Sequence, residues 1–131
     1  MIDHIGISVG NHEKSRGFYL SALAPLDISI VMEVTAQQTG NTAHTGFGNQ
    51  GKPFFWISGR AATMAETTTT HIAFSAQSRA AVDAFYHAAL SAGATDNGAP
   101  GLRPDYHENY YAAFIRDRDG NNIEAVCHHP A

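Results

Sequence analysis

The chain carries an internal repeat. The segments that begin at His4 and at His71 both continue with Ile, and both carry Phe, Tyr and Leu at the same offsets of 14, 15 and 19 residues from the histidine. The period is the 67 residues that separate the two histidines. A fixed period is typical of a duplicated structural unit. Because a unit of about 65 residues buries too little surface to be stable alone, the repeat predicts one domain in which two modules share a core.

Each half has the pattern of a strand, a helix and three further strands. Ile5, Ile7 and Val9 alternate with small or polar residues, which is the pattern of a half-buried strand, and the segment after His71 alternates in the same way. A helical pattern follows in each half and is ended by Pro25 or Gly93. The further strands are predicted at 27–35, 43–48 and 53–59, and at 94–97, 110–116 and 122–128. The predicted fold is α+β, with βαβββ modules at 1–60 and 68–131 and a linker at 61–67.

Composition excludes several classes of function. The chain has 8 Lys and Arg against 12 Asp and Glu, so it lacks the basic surface that binds phosphate backbones, and we expect no nucleic-acid partner. Its apolar runs are far shorter than the roughly 18 residues of a membrane-spanning helix. No secretory leader is visible at the N-terminus, so we expect a cytoplasmic protein without a membrane partner. Cys127 is the only cysteine and has no partner for a disulfide within the chain.

Strand alternation predicts that three potential metal ligands lie on the sheet face opposite the apolar residues of their strands. His4 and His71 occupy equivalent places in the two first strands, and Glu124 lies out of phase with Ile123 and Ala125 in the last strand. Two imidazoles and a carboxylate suit a divalent Fe, Mn, Ni, Co or Zn ion and leave positions open for water or substrate. Such an open site is typical of catalysis. The alternative is that each strand histidine is only a hydrogen-bonded polar side chain.

With these features the chain resembles the vicinal oxygen chelate superfamily, which contains glyoxalases, bleomycin-resistance proteins, fosfomycin-modifying enzymes and extradiol dioxygenases. The resemblance covers essentially the whole chain and rests on His4 in MIDHIGISV, His71 in THIAFSA and Glu124 in DRDGNNIEAV. Residues 97–126 are particularly similar to small glyoxalase-like bacterial proteins. The resemblance implies a curved mixed sheet with helices on its outer face, metal ligands at these three residues, and a catalytic role for Glu124.

One departure from the superfamily pattern bears on the reaction. Glyoxalases of the lactoylglutathione lyase type carry a fourth ligand on the last strand of the first module, where this chain has KPFFWIS and Phe55, Trp56 or Ile57 at the corresponding place. The resemblance implies a metal-dependent enzyme that chelates two neighbouring oxygen atoms of a small-molecule substrate, of the lyase or isomerase, thiol transferase or dioxygenase type. The missing ligand counts against the glyoxalase reaction itself. The alternative is a metal-free protein of the bleomycin-resistance kind that sequesters an aromatic or cationic compound.

Five residues are candidate substrate contacts. Phe55 and Trp56 are expected to form an aromatic wall, and the others belong to a long loop of the second module, where substrate contacts concentrate. Of these, Arg103 would pair with a carboxylate or phosphonate. Tyr106 and Tyr110 complete the set, although the alternative is that they only anchor the loop by burial. Open sheet edges and the edge-to-edge pairing usual in the superfamily imply a homodimer.

Overall fold

The computed structural model of the chain describes residues 1–60 and 68–131, so the predicted linker at 61–67 lies outside the described residues. The first module consists of β1 (Ile5–Val9), α1 (His12–Leu23), a 3-10 turn (Ala24–Leu26), β2 (Ser29–Val34), the short helix α2 (Ala36–Thr39), β3 (His44–Asn49) and β4 (Lys52–Gly59). The second consists of β5 (His71–Ser75), α3 (Arg79–Ser91), β6 (Thr95–Leu102), β7 (Tyr111–Arg116) and β8 (Asn122–Cys127).

The two modules have the same sheet topology. Their strand orders are β1-β4-β3-β2 and β5-β8-β7-β6, with the first and last strands of each module parallel and the other neighbours antiparallel. The predicted α+β fold with two βαβββ modules is therefore confirmed. Within residues 1–60 and 68–131 the strands form two separate four-stranded sheets, and no ladder joins β1 to β5. None of the helices described is long and apolar enough to cross a membrane.

The helix boundaries follow from local chemistry. The side chain of Asn11 accepts a hydrogen bond from Lys14 N at 3.0 Å, and Ser78 does the same for Ala81 N at 3.1 Å, so each caps the start of a long helix. Gly93 has a φ of 109° and follows the end of α3, as predicted. Two features were not predicted: the helix α2, and the extension of β6 through Gly98 to Leu102. Glycine and proline are tolerated in this extension because β6 is an edge strand with irregular pairing.

The helix-facing sides of both sheets contribute to one hydrophobic core. Tyr19 and Phe55 of the first module and Phe74 of the second are buried in it, together with the apolar faces of α1 and α3. The rings of Phe55 and Phe74 pack edge to face with their centroids 5.2 Å apart. The modules thus share a core, as the small size of each half requires.

A turn of the second module is joined to the first by two hydrogen bonds, one of them buried. Asp117, between β7 and β8, accepts a bond from the Tyr19 hydroxyl at 2.5 Å, and Asp119 accepts one from Gly10 N at 2.9 Å. Burial, reinforced by the neighbouring Asp117 carboxylate, raises the pKa of the Tyr19 hydroxyl, which therefore remains a donor. The contacts between modules are thus polar as well as apolar.

Gly48 supplies a sharp test of the β3–β4 pairing. A Cβ atom at Gly48 would lie 1.9 Å from the carbonyl oxygen of Lys52, which is backbone and cannot move aside cheaply. We expect Gly48→Ala to lower the free energy of unfolding by about 1–3 kcal/mol or more, measured by urea denaturation. Gly17→Ala is the matched control, because a Cβ at this position in α1 meets nothing within 4 Å and alanine favours the helix. Equal stability of the Gly48→Ala and Gly17→Ala variants would contradict the described pairing.

Candidate metal and substrate site

His71 and Glu124 meet on the side of the second sheet that faces away from the helices. β5 and β8 are parallel neighbours, with Ile72 opposite Ile123 and Ala73 opposite Glu124. The Nε2 atom of His71 lies 2.9 Å from Oε1 of Glu124, as the alternation of both strands predicts. The side chain of Glu124 is only 2% exposed, whereas that of His71 is 54% exposed. The carboxylate is therefore buried behind an imidazole that solvent reaches.

Tyr110 engages the other oxygen of the same carboxylate. Its hydroxyl donates a short hydrogen bond to Oε2 of Glu124, so that both carboxylate oxygens have a partner. Burial is the largest cause that raises the pKa of Tyr110 to about 12, and this hydrogen bond is the second. The hydroxyl therefore keeps its proton at neutral pH and acts as a donor.

Aromatic rings of the loop and the C-terminal segment surround Tyr110. The ring of Tyr110 packs edgewise against Tyr106 and His128, with centroid distances of 5.1 and 5.2 Å. His107 packs in turn against His128, at 5.9 Å. Tyr106 remains 68% exposed, so the two loop tyrosines differ in their environment. Tyr110 is held inside the cluster and Tyr106 lies at its outer side.

His4 lies elsewhere on the chain surface. Its Nδ1 atom is 2.8 Å from Oδ1 of Asp3, which also accepts a bond from Lys52 Nζ at 2.6 Å, and its side chain is 59% exposed. It lines a cavity of about 410 Å³ between the modules, whose wall includes Ile5 and Ala73 but neither His71 nor Glu124. Among the residues described, no group of three or more His, Cys, Asp or Glu is placed to hold a metal ion.

The structure thus brings together two of the three predicted ligands, His71 and Glu124, and leaves His4 apart. The physical reason is the division into two sheets. Equivalence in the repeat places His71 at the start of β5 and His4 directly before β1, but no ladder joins these two strands within the described chain. Convergence of all three within one chain, which the sequence predicts, is not observed.

The two aromatic residues predicted to form a wall have different places. Phe55 is fully buried in the core, in register with Ile5 of β1, and packs edgewise against Tyr19. Trp56 points to the opposite face and lies across Gly46 of β3, where a Cβ would come within 2.9 Å of the indole ring. Gly46 therefore makes room for the indole. The aromatic surface on the open side of this sheet is formed by Trp56 without Phe55.

Arg103 holds the loop in the described chain. Its Nη2 atom donates to the carbonyl oxygen of Ala99 at 2.7 Å, and its guanidinium lies over the ring of Phe114 with 5.4 Å to the centroid. The sequence interpretation missed Phe114, which also lies opposite Glu124 in the ladder and 6.4 Å from the His71 ring. Alternation with the buried Ala113 and Ile115 is the signal that would have placed it on the site face.

The chemistry of the donor pair fits a divalent metal ion. Imidazole nitrogen and carboxylate oxygen bind such ions at about 2.0–2.2 Å, and two ligand atoms bound to one ion at a right angle are then about 3 Å apart. The hydrogen-bond distance of 2.9 Å between His71 Nε2 and Glu124 Oε1 is also close to this spacing, so the two groups could hold an ion without a large movement. Two protein donors are fewer than the three of most catalytic metal sites, so the pair alone does not make up such a site.

Comparisons with known proteins agree with this architecture. A sequence profile of the Glyoxalase/Bleomycin resistance protein/Dioxygenase superfamily matches residues 1–125. A glyoxalase/bleomycin resistance protein from Albidiferax ferrireducens T118 is similar with 26% identity and a TM-score of 0.78, over 95% of this chain and 97% of that one.

More distant structures share the fold. Glyoxalase I from Zea mays is 18% identical with a TM-score of 0.73, over 96% of this chain and 45% of that one. A variant of the fosfomycin resistance protein from Listeria monocytogenes, in complex with Mn(II) and dihydroxypropylphosphonic acid, is 17% identical with a TM-score of 0.64, over 96% of this chain and 88% of that one. The comparison with curated proteins gave no match. The profile match covers nearly the whole chain, which therefore belongs to the Glyoxalase/Bleomycin resistance protein/Dioxygenase superfamily.

Proposed function

We propose that the chain is a divalent-metal-dependent enzyme that binds a small molecule through two neighbouring oxygen atoms. The observation that carries the proposal is the contact of 2.9 Å between the accessible imidazole of His71 and the buried carboxylate of Glu124. A mixed nitrogen and oxygen donor set suits Fe, Mn, Ni, Co or Zn. Superfamily membership supports the same chemistry, and the Listeria relative was crystallised with Mn(II).

The third donor in this proposal is His4 of a second copy of the chain. His4 and His71 are both more than half exposed, so each is accessible to another molecule. Among the residues that the structure describes, β1 pairs with β4 alone and β5 with β8 alone, which leaves one edge of each of these strands without a ladder in that part of the chain. In a homodimer that places β1 of one copy beside β5 of the other, two-fold symmetry forms two equivalent sites.

In such a site the bound metal would act as a Lewis acid that polarises an oxygen of the substrate. The chain's own side chains would have distinct tasks. Glu124 would contribute a carboxylate oxygen, and the exposed part of Trp56 would provide a flat surface for the apolar part of the substrate. No carboxylate stands on β4, whose sequence is KPFFWISG. This absence favours chemistry of the thiol transferase or dioxygenase type over an isomerase that moves a proton with an additional carboxylate.

Metal uptake tests the proposal directly. Protein purified without a histidine tag and treated with a chelator should bind about one equivalent per chain of at least one of Fe, Mn, Ni, Co and Zn. His71→Ala should lose this uptake, because it removes an imidazole donor. His87→Ala is the matched control, since His87 is an exposed histidine of α3 outside the site. Uptake of less than about a tenth of an equivalent of every metal by the unaltered protein would contradict the proposal.

A metal-free binding protein is the second candidate function. Two observations favour it: both oxygens of Glu124 have hydrogen-bond partners within the protein, and the indole of Trp56 lies on the open side of its sheet. Trp56 is the only tryptophan of the chain, so its fluorescence reports on this surface alone. Quenching by aromatic compounds, in a protein that binds none of the metals tested, would favour this function over the enzyme.

A further inference from the structure

We infer that Tyr110 is a positioning residue that orients Glu124 for metal binding, and that it is not a substrate contact. The inference rests on the proposed metal site. Its basis is that the two oxygens of the Glu124 carboxylate have different partners. Oε1 lies 2.9 Å from Nε2 of His71, and Oε2 accepts the hydrogen bond from the Tyr110 hydroxyl. A hydroxyl that is already donating to a buried carboxylate is not free to donate to a substrate.

The tyrosine is itself fixed by the loop that carries it. Tyr110 lies directly before β7, and its carbonyl oxygen accepts a bond from Arg103 N at 2.7 Å, while its own N–H donates to His107 O at 3.2 Å. Its ring is packed edgewise between Tyr106 and His128. Both the backbone and the ring therefore determine where the hydroxyl lies, and the hydroxyl in turn determines where Oε2 lies.

This arrangement has a consequence for how Glu124 binds a metal ion. Because Oε2 is held by Tyr110, Glu124 offers the single oxygen Oε1 on the side of His71. Without the hydroxyl, the buried carboxylate loses a donor and is free to rotate, so that its orientation must be set anew when the metal binds. Partners that orient metal ligands in this way typically contribute a factor of about 10–100 to metal affinity.

The experiment compares Tyr110→Phe with Tyr106→Phe. Both changes remove one hydroxyl from the same aromatic cluster, but Tyr106 is 68% exposed and only Tyr110 donates to Glu124. The dissociation constant for Co(II) is measured by competition with a chromophoric chelator. We expect Tyr110→Phe to raise it by about 10- to 100-fold and Tyr106→Phe to leave it within about two-fold. The visible absorption of bound Co(II) should change only in Tyr110→Phe, because its coordination is altered.

Urea unfolding of the metal-free variants separates positioning from loss of structure. The inference is supported if Tyr110→Phe binds Co(II) more weakly and with an altered spectrum while its unfolding midpoint stays close to that of Tyr106→Phe. Unaltered affinity and spectrum in Tyr110→Phe overturn it, as does an affinity loss that only parallels a loss of stability. If the unaltered protein binds no Co(II) or other metal, the proposed function fails together with this inference. A normal metal affinity in Tyr110→Phe overturns the inference alone.

Discussion

A mixture of His4→Ala and His71→Ala chains is expected to bind metal, although neither variant binds it alone. The reason is the division of the proposed site between two copies. In a mixed dimer, the His71→Ala chain supplies an intact His4 to the intact His71 and Glu124 of the other chain, while the second site of the same dimer lacks both histidines. If all the ligands came from one chain, every site in the mixture would lack a histidine.

The size of the recovery follows from symmetry. Unfolding and refolding an equal mixture should give about half mixed dimers with one intact site of two, so about a quarter of the normal metal occupancy should return. Metal content and Co(II) absorption of the refolded mixture measure it.

A mixture of His71→Ala and Glu124→Gln chains is the control. Both changes fall in the second module, so no combination of these chains contains an intact pair, and no recovery is expected. Two different tags that bind no metal, one on each variant, show whether mixed dimers have formed. If mixed dimers of His4→Ala and His71→Ala chains form and metal binding does not recover, the shared site is refuted.

The fold was largely predictable because its signals are local and occur twice. The alternation that starts at Ile5 and at Ile72 marks the first strand of each module, and Asn11 and Ser78 cap the helices that follow. The extension of β6 to Leu102 was not predictable in the same way. Gly98 and Pro100 disfavour a strand, and they are accommodated only because β6 is paired on one side.

The candidate site, too, was predictable only where local signals determine it. The contact between His71 and Glu124 was predictable, since alternation within one module determines which side chains share a sheet face. The place of His4 was not, because it depends on how two sheets or two chains are arranged, and strand alternation carries no information on this. The hydrogen bond from Tyr110 was also missed, because the loop before β7 has no periodicity from which its direction could be read.

Alternation also shows why only one of the two adjacent aromatic residues lies on the open face. Neighbouring residues of a strand point to opposite sides, so Phe55 and Trp56 cannot line the same surface. Phe55 shares the buried side of β4 with Ile57, and Trp56 takes the other side over Gly46. The wall of two rings was therefore inconsistent with the strand in which both were placed.

The largest loss of stability is expected from Asp117→Ala. The carboxylate of Asp117 is buried and accepts bonds from the Tyr19 hydroxyl, from the backbone N–H groups of Asp119 and Asn121, and from the side-chain amide of Asn121. Alanine would leave several of these buried donors without a partner, at about 1–3 kcal/mol each where water cannot replace the acceptor. We expect the free energy of unfolding to fall by about 3–5 kcal/mol in urea denaturation.

Asp105→Ala is the matched control, because Asp105 is an exposed residue of the loop before Tyr110, and its removal should change stability by no more than about 0.5 kcal/mol. Since Asp117 joins the β7–β8 turn to α1, its loss should weaken the contact between modules. Both halves should still unfold in one transition, because Phe55 and Phe74 keep the core continuous. Unchanged stability of the Asp117→Ala protein would show that the buried hydrogen bonds around this turn contribute nothing to the association of the modules.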